Sequence, residues 1–307
     1  MVELAIDKNL EMQNKTFILG VGSQKSGTTW LYHYLRALDH TCFSNIKEFH
    51  YFDSLYLSDM KWYARMIKKS VYQSLLYEQM PSASNSLQLA FLTNPGLYFQ
   101  YFYSQLYMFN DRFITGDITP AYSMLDAKIY ENIKTTFENM GIQVKVIYLM
   151  RDPAQRLVSS LRQREGRRAQ QLSTDDELRR MNQELSRGKA SSSVKRGCYQ
   201  QTIHQLEQVF DRQDIYYGLF EELFTKEQTQ LICSFLGVNW KNPDFHKRYV
   251  ATYASDLAIT NDCLARIYSI FQDSIEEAVK IFGSSKIQEL WPEAFAYWTH
   301  TKKSEPT

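Results

Sequence analysis

Three short stretches of the chain gather side chains suited to chemistry on an anion. The first is Gly22-Ser23-Gln24-Lys25-Ser26-Gly27-Thr28-Thr29-Trp30. Its glycines let the backbone curl, and a helix starting after Gly27 would aim N–H groups and its positive dipole end into that curl. Lys25 adds a full charge, and Thr28 and Thr29 add hydroxyl donors. Such a loop grips a phosphate; the plainer alternative is Ser and Thr capping a helix with no ligand. A nucleoside-triphosphate loop would place Lys and Ser/Thr directly after its last glycine. Here Thr28 follows Gly27 and the lysine precedes it by two residues. That spacing suits a single 5'-side anionic group better than a triphosphate with its magnesium.

The second stretch is Lys47-Glu48-Phe49-His50-Tyr51-Phe52-Asp53. On an extended backbone Glu48 and His50 share one face, roughly 6.5 Å apart. A carboxylate and an imidazole so placed can share a substrate proton, with Glu48 as base and His50 as orienting group. A surface strand with an incidental Glu is the other reading. The third is Arg151-Asp152-Pro153, with Ser159 about two helical turns on. Arginine's planar donors match a phosphate bidentately. An Arg–Asp pair at a helix cap explains the same residues without a ligand.

These stretches need elements to hold them. Thr16 to Gly22 is an apolar run of the kind that forms a buried parallel strand. Phe113 to Asp117, Val144 to Met150 and Asp214 to Phe220 read as further strands. After Gly27, residues Trp30, Leu31, Tyr34, Leu35 and Leu38 recur at helical steps. Asp126 to Met140 closed by Gly141, a helix begun by Asp152-Pro153, and Lys226 to Leu236 ended by Gly237 follow the usual start and stop signals. Cys263 to Phe282 reads as one amphipathic helix. The alternation predicts an α/β fold, P-loop-like, with a mainly parallel central sheet flanked by helices, in a single domain over 1–307.

Two segments interrupt this rhythm. Residues 61–110 form an aromatic-rich helical insert with a polar break at Pro81 to Ser86. They either fill core or line a pocket for a phenolic or lipid-like acceptor. Residues 162–196 form a charged surface segment, a helix with a flexible Ser191-Ser192-Ser193 stretch. Its basic residues either attract an anionic glycan or form a solvated face.

With 35 Lys and Arg against 34 Asp and Glu, no global field argues for nucleic acid or a membrane surface. Met1 to Lys15 lacks the apolar core of a signal peptide, and no stretch reaches membrane-span length. Cys42, Cys198, Cys233 and Cys263 are scattered without metal-ligand spacing. They read as thiols in a reducing, cytoplasmic setting, and no metal is expected.

Lys25-Ser26-Gly27-Thr28-Thr29-Trp30 is similar to the 5'-phosphosulfate loop of sulfotransferases that use 3'-phosphoadenosine 5'-phosphosulfate (PAPS). The resemblance implies that Lys25 steadies the departing phosphate, that Ser26 to Thr29 grip the 5'-phosphate, and that Trp30 lies against adenine. Arg151-Asp152-Pro153 with Arg156 and Ser159 resembles the family's 3'-phosphate motif, so Arg151 and Ser159 inherit that role. Arg196-Gly197-Cys198-Tyr199 resembles an element that closes over the cofactor, which implicates Arg196 and Tyr199. Only Lys247-Arg248 stands in for the family's C-terminal basic loop.

Lys47 to Asp53 is similar to the heparan sulfate glucosaminyl branch, where the Glu acts as base; Glu48, His50 and Asp53 all match. Gly116 to Tyr122 resembles that branch's E-K-T-P-A-Y element, with Asp117 for Glu and Ile118 for Lys. The implied activity is transfer of a sulfuryl group from PAPS to a hydroxyl or amine of a small-molecule or glycan acceptor. A magnesium-dependent small-molecule kinase of P-loop architecture and a non-catalytic nucleotide-binding protein are the competing expectations.

Overall fold

The computed structural model describes residues 14–166, 173–247, 249 and 259–304. Four strands, β1 (Thr16–Gly22), β2 (Ile114–Ile118), β3 (Gln143–Met150) and β4 (Ile215–Leu219), pair in the order β2-β1-β3-β4. Every pairing is parallel, with Phe17 opposite Thr115 and Val144, and Tyr148 opposite Tyr217. All seven residues of β1 are buried, as a strand covered on both faces requires. Their side chains still alternate: Phe17, Leu19 and Val21 enter the larger core, Ile18 the smaller. This is the mainly parallel α/β sheet expected.

Between β1 and β2 lie α1 (Thr28–Ala37), α2 (Tyr51–Tyr56), α3 (Lys61–Leu76), α4 (Ala83–Thr93) and α5 (Gly96–Tyr107). Helix α6 (Ala127–Asn139), capped by Asp126, leads to β3. Then come α7 (Pro153–Glu165), α8 (Thr174–Arg187), α9 (Ser192–Lys195) and α10 (Tyr199–Glu207) before β4. The chain ends with α11 (Lys226–Leu236), α12 (Asn261–Ile270), α13 (Gln272–Phe282), α14 (Ser284–Leu290) and α15 (Pro292–Ser304). Among the described residues no helix is long and apolar enough to cross a membrane. From β1 the chain goes first to one neighbour and later to the other, so the sheet's topological switch lies at β1, where open α/β sheets bind ligands.

Helix α5 shows why residues 61–110 are so aromatic. Tyr98, Phe102 and Leu106, spaced by four, are fully buried, and Phe102 meets Phe17 at 4.9 Å between ring centres. The polar break falls at 77–82, with Ser82 capping α4, and a second break at Asn94-Pro95 separates α4 from α5. Proline explains that second break, since the residue before it is driven out of helical geometry.

Two helical expectations are corrected. The single helix over Cys263 to Phe282 is broken at Phe271, whose ring turns wholly into the core opposite the Arg156 guanidinium. Ser191 to Ser193 is not a flexible stretch. Ser191 caps α9 and bonds Glu184, while Ser193 accepts from Arg164 at 2.5 Å, so both serines are buried. Residues 167–172 of the charged segment, and Met1 to residue 13, lie outside the described residues.

Candidate active site

The β1 exit forms a tight loop. Gly22, Lys25 and Gly27 all have positive φ, so the backbone curls tightly between the strand and α1. A Cβ on Gly27 would sit 2.4 Å from Leu223 Cδ2, so glycine is needed there for space as well as for conformation. Gly27 is the N-cap of α1 and no side chain caps it, which leaves the helix N-terminus open to a cleft lined by Lys25, Gly27, Thr28, Thr29 and Trp30. Ser26 does not reach that cleft. It is fully buried with its hydroxyl 2.6 Å from Ser23 Oγ, which makes it part of the loop's inner brace. Trp30 lines the cleft, and its ring packs on Tyr34, Phe224 and Phe245.

Arg151 stands at the end of β3, across from this loop. Its Nη1 donates to the Lys25 carbonyl at 3.2 Å, its Nη2 to Gln155 Oε1 at 3.2 Å, and its guanidinium lies over Phe220. Nε is buried without a partner. Asp152 caps α7, whose next turns bring Ser159 to the cleft wall. Tyr199 is not at that wall. It is completely buried, and its hydroxyl donates to the Arg151 carbonyl at 2.6 Å, so it fixes the arginine from behind. Arg196 does line the cleft, with Nη2 3.4 Å from the Met60 sulfur and Nε buried without a partner.

Glu48 and His50 come together by a route the extended-strand expectation did not contain. No strand forms over 44–50; both residues have left-handed φ, 65° and 50°. That curl brings Glu48 Oε2 within 3.2 Å of His50 Nε2, while His50 Nδ1 bonds Asp53 Oδ2 at 2.6 Å. Asp53, in the first turn of α2, is fully buried behind the imidazole and does not face the cleft. Lys47 pairs with the other Glu48 oxygen. Tyr63 of α3 packs its ring 4.4 Å from His50 and is held by Gln88 Nε2, which also donates to the Phe49 carbonyl.

Behind this array Asp117 is buried and accepts from Tyr98 at 2.9 Å, Tyr122 at 2.7 Å and Thr119 at 2.6 Å. The Tyr122 hydroxyl also accepts the N–H of Tyr51, the residue after His50. Asp117 thus braces the start of α2 and does not enter the cleft.

The charges follow from these contacts. Burial alone would raise the Glu48 carboxyl, but its bond to His50 and the Lys47 charge hold it down at about 2. Burial would lower His50, yet Asp53 and Glu48 together lift it to about 9. The directions favour a Glu48 carboxylate beside a His50 imidazolium. A raised folded value means that His50 stabilises the fold fully below its ordinary pKa of 6.5 and loses that contribution as pH rises through about 9. The Glu48 share holds above its ordinary 4.5 and is lost only as pH falls through about 2. Thermal melts from pH 6 to pH 10 should accordingly show a decline that His50→Gln flattens. Parallel curves for the two proteins would mean that the imidazolium contributes nothing.

The cleft enclosing these groups measures about 1390 Å³. A single ligand site usually occupies roughly 300–1,000 Å³, so there is room for two molecules. Although the chain is nearly neutral, Lys25, Arg151, Arg162, Arg164, Arg187, Arg196 and Lys247 line this space against Glu48, Asp59 and Glu184. Burial lowers the Lys25 ammonium, and the adjacent Arg151 lowers it further. Two cations held that close are stabilised by an anion between them. Lys247 lines the cleft beside Tyr249, whereas Arg248 lies outside the described residues.

Sequence reasoning missed Lys47, Trp62 and Tyr63, all of which reach the site. Lys47 stands next to Glu48 and was legible as its partner; nothing in the aromatic segment singled out Trp62 and Tyr63.

A family model described as "Sulfotransferase domain" matches residues 14–253. No curated protein matches the chain in sequence. Among solved structures, a sulfotransferase from Alicyclobacillus acidocaldarius is similar, with a TM-score of 0.56 and 16% identity over 88% of this chain and 96% of that one. A sulfotransferase domain from the curacin biosynthetic pathway is more distant, with a TM-score of 0.47 and 18% identity over 82% of each chain. At that identity the first likeness speaks for the fold, and the second carries no weight.

Proposed function

The chain belongs to the sulfotransferase domain family, and from that premise we propose that it moves a sulfuryl group from PAPS to an acceptor hydroxyl or amine. The observation that carries the reading is the junction of Lys25 and Arg151 across an open helix N-terminus, with Glu48 in the same cleft. The donor supplies the sulfuryl group and departs as adenosine 3',5'-bisphosphate. Lys25 neutralises the charge that builds on the departing phosphate oxygen, while the α1 N-terminus with Thr28 and Thr29 holds the 5'-phosphate. Trp30 lies against the adenine. Arg151 and Ser159 take the 3'-phosphate, and Tyr199 keeps Arg151 in place.

On the acceptor side, a new oxygen–sulfur or nitrogen–sulfur bond forms as the bridging oxygen–sulfur bond breaks. Glu48 takes the acceptor's proton, and His50, locked by Asp53, orients the carboxylate. An incoming phosphosulfate gives Lys47 a competing anion, and a weakened Lys47 pair lets Glu48 become a better base. The order of Glu48, His50 and Asp53 favours the carbohydrate branch. Ile118 stands, buried, where that branch carries a lysine, and the positive charge next to Glu48 in this reading is that of Lys47, its ion-pair partner. Arg196, on the cleft wall, closes over the bound cofactor.

The test is nucleotide binding without metal, followed by transfer from radiolabelled PAPS to a panel of hydroxyl and amine acceptors. Adenosine 3',5'-bisphosphate should bind tightly and ATP weakly. Preference for ATP with magnesium would move the chain to the kinase reading. Arg151→Ala should weaken binding of the 3'-phosphorylated nucleotide by about 10–10²-fold, the scale of a lost charge-assisted pair, yet barely affect adenosine 5'-phosphosulfate. Equal losses for both would make Arg151 a brace for the Lys25 loop.

A further inference from the structure

Helix α3 has a second face that the transfer chemistry does not use. Ile67 and Val71 bury its inner side against the body of the protein. At 100° per residue, Trp62, Met66 and Leu76 share the opposite arc with Arg65 and Lys69, and Tyr72, Lys68 and Leu75 run along one flank of it. Seven of the fourteen large hydrophobic side chains exposed among the described residues fall between 62 and 80. Tyr72 is 64% exposed, Leu75 62% and Met80 93%, a concentration of exposed apolar side chains in one segment.

The helix carries four basic residues and no acidic one, and none of the four forms an ion pair among the described residues. Interleaved basic and apolar side chains of this kind suit the boundary of a bilayer. Aromatic and aliphatic groups enter the acyl edge, and lysine and arginine stems extend to anionic headgroups. Trp62 belongs both to this face and to the cleft wall. The same helix turn therefore borders the cleft mouth and the outward surface.

We propose that the outer face of α3 docks the protein on an anionic lipid surface, with the cleft opening beside that surface. The occupant follows from charge complementarity: a neutral apolar partner would leave the basic residues without counter-charges. The proposal does not depend on the donor or on Glu48, so it stands or falls apart from the transfer reading.

The experiment is co-sedimentation of the full chain with phosphatidylcholine vesicles, either pure or containing about one-third phosphatidylglycerol. Each basic residue near such a surface is worth about fivefold in binding. Arg65→Gln, Lys68→Gln and Lys69→Gln together should therefore cost about a hundredfold on the anionic vesicles, and added salt should weaken the wild type. Tyr72→Ser, Leu75→Ser and Leu76→Ser together should also release the protein, with the fold checked by circular dichroism. Equal binding to both vesicle types, or wild-type binding by both variants, overturns the proposal. A dimer that the serine variant dissociates, with no vesicle binding by the wild type, assigns the face to a second copy of the chain instead.

Discussion

A Glu48→Gln enzyme should transfer sulfuryl groups about 10²–10⁴-fold more slowly than the wild type, the usual worth of a positioned base. Its affinity for adenosine 3',5'-bisphosphate should be almost unchanged. Glutamine keeps the length and one hydrogen-bonding oxygen of Glu48 but cannot take a proton. His50 would still be held by the buried Asp53 carboxylate at 2.6 Å, so the array should keep its shape. The measurement is single-turnover transfer at saturating PAPS beside a separate titration of the bisphosphate.

The pH dependence sharpens this expectation. With Glu48 held at about 2 and His50 lifted to about 9, the wild-type rate should stay level from mildly acidic to neutral pH and change only as His50 loses its proton. A Glu48→Gln enzyme with normal turnover would remove Glu48 as base and pass the role to His50. That alternative requires a neutral imidazole, so the rate would then climb toward pH 9. Loss of bisphosphate binding together with turnover would instead make Glu48 a support for Lys25 and Lys47.

How much of this was legible in the sequence depends on which force shapes each part. The strands were visible because a sheet covered on both faces turns burial into unbroken apolar runs; β1 spans the predicted Thr16–Gly22. Helix ends were visible where a single residue has a local job, as with Asp126, the Asp152-Pro153 pair and Gly237. The break at Phe271 was hidden because it serves tertiary burial: the ring leaves an amphipathic pattern to sit in the core.

The site divides in the same way. The phosphate loop could be read because glycine marks the positions where the backbone must turn. The Glu48–His50 contact could not be placed, because it depends on left-handed φ at two residues with side chains, which composition does not signal. Extended geometry would have set the two groups roughly 6.5 Å apart; the folded chain brings them to 3.2 Å. That difference separates two neighbours on one face from a bonded pair whose charges set each other's protonation.

Lys25→Ala should retain the fold and lose transfer by roughly 10²–10³-fold, the cost of removing one preorganised donor at developing charge. The fold should survive because the loop is held elsewhere. Ser26 bonds Ser23, Gly27 fits beneath Leu223, and Arg151 grips the backbone carbonyl of residue 25, which alanine keeps. Burial and the Arg151 cation lower the Lys25 pKa, Glu48 raises it in part, and Lys47 lowers it further. Removing its charge relieves that repulsion, so the empty variant should melt no lower than the wild type. The same repulsion is what a bound phosphate offsets, so bisphosphate affinity should fall only modestly while turnover falls steeply. Lys25→Arg discriminates further, since it keeps the charge but replaces a compact ammonium by a planar fork. If the role is stabilisation of one departing oxygen, arginine should recover only part of the rate. Near wild-type turnover in the alanine variant would remove the leaving-group role, and equal losses in affinity and turnover would make Lys25 a binding residue alone.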